Sequence, residues 1–183
     1  MKQLGILRNI GDNELELMRA WRNEPSVRAN MYTQHEISPE EHLTWWAKTK
    51  DRPDQKYFMY ETAGTPVGIA SFNGIDANSA NSAWAFYASP TAPKGTGSRM
   101  EFLMLDCAFN TLNLHKLYCE VLAFNTAVIK LHEKFGFKVE GIFREQHKVN
   151  DAFVDTYRLG ILASEWQKGR QAMYDKLTAH VKA

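Results

Sequence analysis

The stretch Pro93-Lys94-Gly95-Thr96-Gly97-Ser98-Arg99 is basic and punctuated by two glycines. An apolar run over residues 83–88 precedes it and reads as a strand. The run from Met100 to Leu112 follows it with the apolar spacing of a helix. A strand, a glycine turn and a helix N-terminus in succession make an anion site. Glycines let the backbone approach a ligand and take positive φ. The free N–H groups of the first helical turn, helped by the helix dipole, then point at phosphate oxygens. Lys94 and Arg99 add formal charge. The bland alternative is a plain connecting turn.

Two common phosphate binders do not fit. A P-loop requires Gly, four residues and Gly-Lys-Ser/Thr, and no such run occurs. A dinucleotide fingerprint requires a third Gly or Ala after Gly95 and Gly97, where this chain has Met100. Glu120 lies roughly twenty residues further on, as a ribose-binding acid would, but it falls inside a strand-like run rather than at its end. The remaining common user of such a turn is an acyl-CoA binder that holds pyrophosphate.

The whole chain is compatible with that reading. Its 183 residues suit one domain with a single core. With 44% hydrophobic and 23% charged residues it is globular rather than disordered. A net charge of +1 argues against a dedicated nucleic-acid surface, though not against a nucleotide-bearing small substrate. No apolar run approaches the roughly twenty residues of a membrane span. Residues 1–8 lack the apolar core of a signal peptide. Two cysteines, Cys107 and Cys119, make no disulfide framework, so a cytoplasmic protein is expected. Both sit at apolar positions with no cationic neighbour in sequence and read as packing. The six histidines show no zinc-ligand spacing, and no metal is expected.

Residues 13–21 read as a helix, and a helical turn is expected over 26–31 after Pro25. Ser38-Pro39-Glu40-Glu41 is a strong helix start: Ser38 caps, Pro39 suits the first helical position and Glu41 closes a capping box. That helix should run to about Lys50. Strands over 57–61 and 66–72 flank Ala63-Gly64-Thr65 as a hairpin. Residues 82–88 form the third strand of a meander. A helix over 98–113, a strand over 116–122, a helix over 126–135 and strands over 137–143 and 153–162 follow. A last helix starts near Ser164. The fold class is therefore mixed α/β with a central strand–helix–strand crossover. The more polar segment after Trp166 reads as a C-terminal helical appendage, residues 167–183, on a domain of residues 1–166.

These elements, with Lys94-Gly95-Thr96-Gly97-Ser98-Arg99 and Asn125-Thr126-Ala127-Val128-Ile129-Lys130-Leu131-His132-Glu133-Lys134-Phe135-Gly136-Phe137, resemble the GNAT superfamily of acyl-CoA-dependent N-acyltransferases. The likeness covers residues 7–166. The family often has Gln or Arg where Lys94 stands and Gly or Ala after the second glycine, so this is a variant that keeps both glycines. The resemblance implies a mostly antiparallel central sheet with flanking helices, and acetyl-CoA as co-substrate. In the front half, Trp21-Arg22-Asn23-Glu24-Pro25-Ser26-Val27-Arg28 and Ile37-Ser38-Pro39-Glu40-Glu41-His42-Leu43 look like the N-acetyltransferases of pseudaminic acid biosynthesis. Those enzymes acetylate the 4-amino group of a UDP-linked 4-amino-4,6-dideoxy sugar. Ribosomal-protein alanine N-acetyltransferases share similar segments and are the alternative. A non-catalytic acyl-CoA-binding module is a third.

Amine attack on a thioester requires a neutral amine, stabilisation of the oxyanion and a proton for the thiolate. The resemblance implies oxyanion donors among the backbone N–H groups near Phe86, Tyr87 and Ala88. It places CoA contacts at Lys94, Gly95, Thr96, Gly97, Ser98, Arg99, Asn125 and Val128. Asn125 also suits a helix N-cap. His132 stands where many relatives carry the Tyr whose phenol protonates the thiolate, and imidazole is also a competent acid. The alternative is a partly buried histidine bonded to a carbonyl. Glu120 shares a strand face with Tyr118 and Leu122, and a carboxylate among apolar neighbours has work or a partner. It accepts the amine proton through water or forms an ion pair. Arg22, Met31, His42 and Trp45 match the nucleotide–sugar pocket of the resembling enzymes, and Tyr87 adjoins it. Arg grips a diphosphate and an aromatic stacks on uracil. The expected partner is a UDP-amino sugar, with no nucleic acid or membrane. An exposed edge near the C-terminal hairpin offers pairing in a homodimer.

Overall fold

The computed structural model describes residues 4–179. Residues 1–3 and 180–183 lie outside, and with them part of the signal-peptide reading and the end of the expected appendage. Strands β1 (Ile6–Asn9), β2 (Gln55–Thr62), β3 (Thr65–Asp76), β4 (Asn81–Ala88), β5 (Lys116–Leu122), β6 (Lys138–Val149) and β7 (Ala152–Leu162) form one sheet, ordered β1-β2-β3-β4-β5-β7-β6. Neighbours are antiparallel except β4 and β5, which run parallel. The α-helices are α1 (Leu15–Asn23), α2 (Pro25–Arg28), α3 (Pro39–Thr49), α4 (Thr96–Asp106), α5 (Thr126–Lys134) and α6 (Ala163–Thr178), with a 3-10 turn at Asp12–Glu14 and a π-helical extension of α4 at Cys107–Thr111. The mixed, mostly antiparallel sheet is the expected fold class, and α4 is the crossover between β4 and β5. Among the described residues no helix is long and apolar enough to cross a membrane.

Differences from the sequence reading have local causes. Strand β1 was not expected, because four residues are too few to show a period. It is held by β2 and by Arg8, whose guanidinium binds Glu14 and Glu61 at 2.7 and 2.8 Å. Helix α4 starts at Thr96 rather than Ser98, because Gly95 caps it in the left-handed region at φ 88°. The capping box at Ser38 is half made. Ser38 Oγ accepts the Glu41 N–H at 3.1 Å, but the Glu41 carboxylate turns to His35.

One feature of the sheet prepares a site. Parallel pairing of β4 with β5 is confined to Asn81–Ala83 against Lys116–Tyr118. Beyond it the strands part, while β4 stays paired to β3 as far as Ala88 and β5 to β7 as far as Leu122. The wedge opens towards the N-termini of α4 and α5.

The core lies beneath it. Met100, Phe102, Met104 and Leu105 of α4 are fully buried, and Leu117, Cys119 and Val121 of β5 share one inward face. Cys107 and Cys119 are both free thiols. Helix α6 is continuous across residues 166 and 167, so the expected domain boundary falls within it. Trp166 is 1% exposed, and Met173 and Leu177 pack on the same core.

Candidate active site

Backbone direction in β4 decides which amides face the wedge. The Ser89 N–H donates to Val67 O on β3 at 2.9 Å. Amides alternate sides along a strand, so those of Tyr87 and Ala85 also turn to β3. Those of Phe86 and Ala88 therefore point into the gap where β5 has departed. Two N–H donors of like direction, unpaired by the sheet, are suited to an oxyanion.

The wedge is a cavity of about 250 Å³ lined by Phe86, Tyr87, Ala88, Cys119, Glu120, Asn125, Val128 and His132 among others. A second cavity, of about 330 Å³, lies on the other side of β4. It is lined by all five residues expected of the acceptor pocket: Arg22, Met31, His42, Trp45 and Tyr87. The two cavities share Met31, Ala85, Phe86 and Tyr87. The two clefts thus meet at the middle of β4.

The helix start beside the wedge is built for close approach. Thr96 ties the turn, with N–H and Oγ1 both donating to Pro93 O at 3.1 and 2.7 Å. The next amides, of Gly97 and Ser98, have no helical acceptor. A Cβ on Gly97 would lie 3.4 Å from both Leu131 Cδ2 and Phe86 Cε2. The glycine thus lets α4 lie against α5 and β4. Lys94 is exposed at the turn. Arg99 is not brought to the wedge. At 100° per residue it is about 200° around α4 from Gly97, and it lines a separate depression with Trp21, Thr62 and Pro66.

Asn125 occupies the N-cap position of α5, but its side chain makes no cap bond and lines the wedge. His132 is 2% exposed, with its ring near those of Trp84, Phe86 and Phe137 at centroid distances of 5.3, 6.0 and 5.2 Å. Its Nδ1 lies 2.8 Å from Glu101 Oε1, and Nε2 has no hydrogen-bond partner among the described residues. The bland expectation of a carbonyl partner is replaced by a buried carboxyl. Glu101 was missed in sequence. The available signal was its position as the lone charged residue within Met100–Leu105.

Glu120 has partners on both oxygens. Arg158 Nη1 donates to Oε1 and the Tyr32 hydroxyl to Oε2, each at 2.9 Å. The ion-pair alternative is therefore present. Tyr32 also packs on His147, whose Nε2 lies 3.1 Å from Tyr32 O. The loop between α2 and α3 is thereby fastened across the wedge to β5 and β6. Burial and the Glu120 bond push the Tyr32 phenol up to about 12.

The Trp-Arg-Asn segment at the end of α1 divides its labour. Trp21 enters the core. Asn23 clamps Ile37, accepting its N–H and donating to its carbonyl, each at 2.8 Å. Arg22 lines the second cavity. Its Nη2 donates to Thr33 O at 3.3 Å, while Nη1 is buried without a partner among the described residues. Burial pulls this guanidinium below its ordinary range. His42 stacks on Trp45 at 5.3 Å, and Trp45 meets Tyr57 edge-on at 5.2 Å. Burial, followed by Arg19, lowers the His42 pKa. Glu41 is the one carboxylate among the described residues lining the cavity, and it is paired with His35.

Comparison with known proteins places this site in a family. The model of the acetyltransferase (GNAT) domain matches residues 7–157. The chain belongs to the GNAT acetyltransferases. It is an acetyl-CoA-dependent N-acetyltransferase. Among curated relatives, acetyltransferase PseH of Campylobacter jejuni (strain 81-176) is 28% identical over 76% of this chain and 86% of its own length. Spermidine N(1)-acetyltransferase of Escherichia coli K12 is 26% identical over 85% of this chain and 78% of its own. Spermidine N-acetyltransferase of Vibrio cholerae, solved with CoA and spermine, superposes with a TM-score of 0.83 at 24% identity. The match covers 88% of this chain and 97% of that one. That likeness concerns the GNAT fold alone.

Proposed function

We propose that the enzyme transfers the acetyl group of acetyl-CoA to the amine of a UDP-linked 4-amino-4,6-dideoxy sugar, as in pseudaminic acid biosynthesis. The observation that carries this reading is Arg22. A buried guanidinium nitrogen without a partner costs free energy unless an anion arrives to accept its hydrogen bond. A diphosphate supplies that anion. The His42–Trp45 pair gives an aromatic surface for a base. The PseH relatives favour a sugar amine. A polyamine, suggested by the spermidine acetyltransferase relatives, would bring positive charge to a cavity that holds Arg22 and one already paired carboxylate.

Acetyl-CoA supplies the activated thioester. The Phe86 and Ala88 amides donate hydrogen bonds to the oxyanion that develops as the amine attacks. The free amides of Gly97 and Ser98, held by the turn at Gly95 and Thr96 and flanked by Lys94, line the pyrophosphate. Asn125 and Val128 flank the pantetheine arm. His132 Nε2 delivers the proton to the departing sulfur. Glu120, with Tyr32 and Arg158, holds the loop between α2 and α3 over the cleft. We place the enzyme in the cytoplasm, where free Cys107 and Cys119 remain reduced. We also propose that residues 1–166 form the catalytic domain and that the appendage from residue 167 fastens it.

Thiol release from acetyl-CoA across a panel of amines is the deciding experiment. A UDP-linked 4-amino sugar should react, whereas spermidine and alanine-ended ribosomal peptides should not. Arg22→Met should raise KM for the sugar about 10- to 100-fold, the loss of one or two charge-assisted hydrogen bonds, and leave KM for acetyl-CoA unchanged. UDP should compete with the sugar and not with acetyl-CoA. Spermidine as the best acceptor, or no turnover with any amine, would overturn the reading.

A further inference from the structure

Glu101 is the most buried ionisable side chain of the site, with no exposed surface. Of its two oxygens, Oε1 meets His132 Nδ1 and Oε2 is buried with no partner among the described residues. We propose that Glu101 is the positioning residue for His132, its carboxyl and the imidazole sharing a proton so that Nε2 always carries hydrogen at the thioester cleft. The inference rests on reading His132 as the acid that meets the departing sulfur.

The geometry leaves two arrangements with the same number of protons. In one, an ionised Glu101 faces a doubly protonated imidazole. In the other, the Glu101 hydroxyl donates to a bare Nδ1 and the imidazole is neutral with hydrogen on Nε2. Surroundings favour the second. The rings of Trp84, Phe86 and Phe137 enclose the imidazole. An ion pair in such a site pays desolvation on both members. An orphan oxygen is also cheaper on a neutral carboxyl than on a carboxylate. Burial raises the Glu101 pKa, and the His132 bond opposes that shift. The titratable groups facing the carboxyl are His132 and Lys134 from α5 and Cys119 from β5. The Cys119 thiol is itself held neutral by burial.

Both arrangements present an N–H to sulfur. As the amine nitrogen bonds to the acyl carbon and the carbon–sulfur bond breaks, Nε2 gives its proton to the thiolate. Nδ1 then carries the hydrogen that bonds an ionised Glu101. The surplus proton of the newly bonded nitrogen, passed through water, restores Nε2. One proton leaves nitrogen and one reaches sulfur, so the dyad ends as it began. The relay differs from a lone imidazole, whose tautomer nothing fixes.

The test reads the proton directly. In the wild-type enzyme, nitrogen-15 NMR of His132 near neutral pH should show hydrogen on Nε2. A bare Nε2 with hydrogen on Nδ1 would overturn the proposal. Glu101→Gln should lower the single-turnover rate about 10²-fold, at the low end of general acid–base contributions. KM for acetyl-CoA should not change, and the His132 nitrogen signals should move. The amine is whichever of the panel releases most thiol. Because the pair acts as a unit, His132→Phe combined with Glu101→Gln should be no slower than His132→Phe alone. A fast His132→Phe enzyme means that the reading of His132 has failed. A slow His132→Phe enzyme beside a Glu101→Gln enzyme of normal rate and unchanged signals overturns the present inference alone. Should Glu101→Gln not fold, the wild-type spectrum decides.

Discussion

Replacing His132 by Phe should lower the single-turnover rate of acetyl transfer by about 10²–10⁴-fold, the usual contribution of a general acid, while acetyl-CoA still binds. A phenyl ring suits the space, since His132 already sits among Trp84, Phe86 and Phe137. What it removes is Nε2 from the cleft. It also leaves both Glu101 oxygens without a partner, which should cost about 1–3 kcal/mol of stability. The melting temperature should therefore fall with His132→Phe and recover when Glu101→Leu is added. The rate should not recover in that double variant. This dissociation separates proton delivery from packing. His132→Tyr should restore part of the rate, because it supplies the phenol that the resemblance implies at this place. A His132→Phe enzyme with a wild-type single-turnover rate would make the histidine a packing residue and leave the thiolate to depart unaided.

The parts of this site that were legible in sequence are those fixed by local chemistry. Gly95 and Gly97 announce a turn and a close approach, and the structure places them at the start of α4 beside the wedge. Arg22, Met31, His42, Trp45 and Tyr87 come together in one cavity although they lie on α1, the loop after α2, α3 and β4. The segments quoted for the resemblance contain Arg22 and His42, whereas Met31, Trp45 and Tyr87 lie outside them. What stayed hidden depends on helix phase and on partners distant in sequence. Arg99 looked like a phosphate ligand because it adjoins the turn, but two residues beyond Gly97 is the far side of a helix. Glu101, a further two residues on, returns to the Gly97 side and reaches His132 across 31 positions. Nothing local to Glu120 foretold Tyr32, 88 positions away. The parting of β4 and β5 is a property of the sheet, set by their separate partners β3 and β7.

Replacing Asp106 by Ala should destabilise the fold by about 3 kcal/mol, the cost of breaking a largely buried ion pair from one side, discounted for the partly exposed arginine. Asp106 ends α4 and is 8% exposed. Its carboxylate receives Arg170 in a fork, Nε to Oδ1 at 2.7 Å and Nη2 to Oδ2 at 2.6 Å. Oδ1 also accepts the Trp166 indole N–H at 3.0 Å. The Arg170 guanidinium sits 5.4 Å from the Phe102 ring. One side chain of the crossover helix thus fastens α6 at two points, a turn apart. Without it the Trp166 N–H stays buried with no acceptor and Arg170 loses its counter-charge. For a chain of this size about 3 kcal/mol should lower the melting temperature by roughly 6–12 °C. Asp106→Asn keeps one acceptor and should fall between. Hydrogen exchange should quicken first in α6, because that helix loses its anchor while the sheet keeps its ladder. The wedge proposed as the catalytic cleft lies at the opposite end of α4, so acetyl transfer measured well below the new melting temperature should be nearly normal. An unshifted melting temperature in Asp106→Ala would mean that α6 is held by the burial of Trp166, Met173 and Leu177 alone. Loss of activity without loss of stability would place Asp106 in the catalytic machinery, which its distance along the helix from Gly97 opposes.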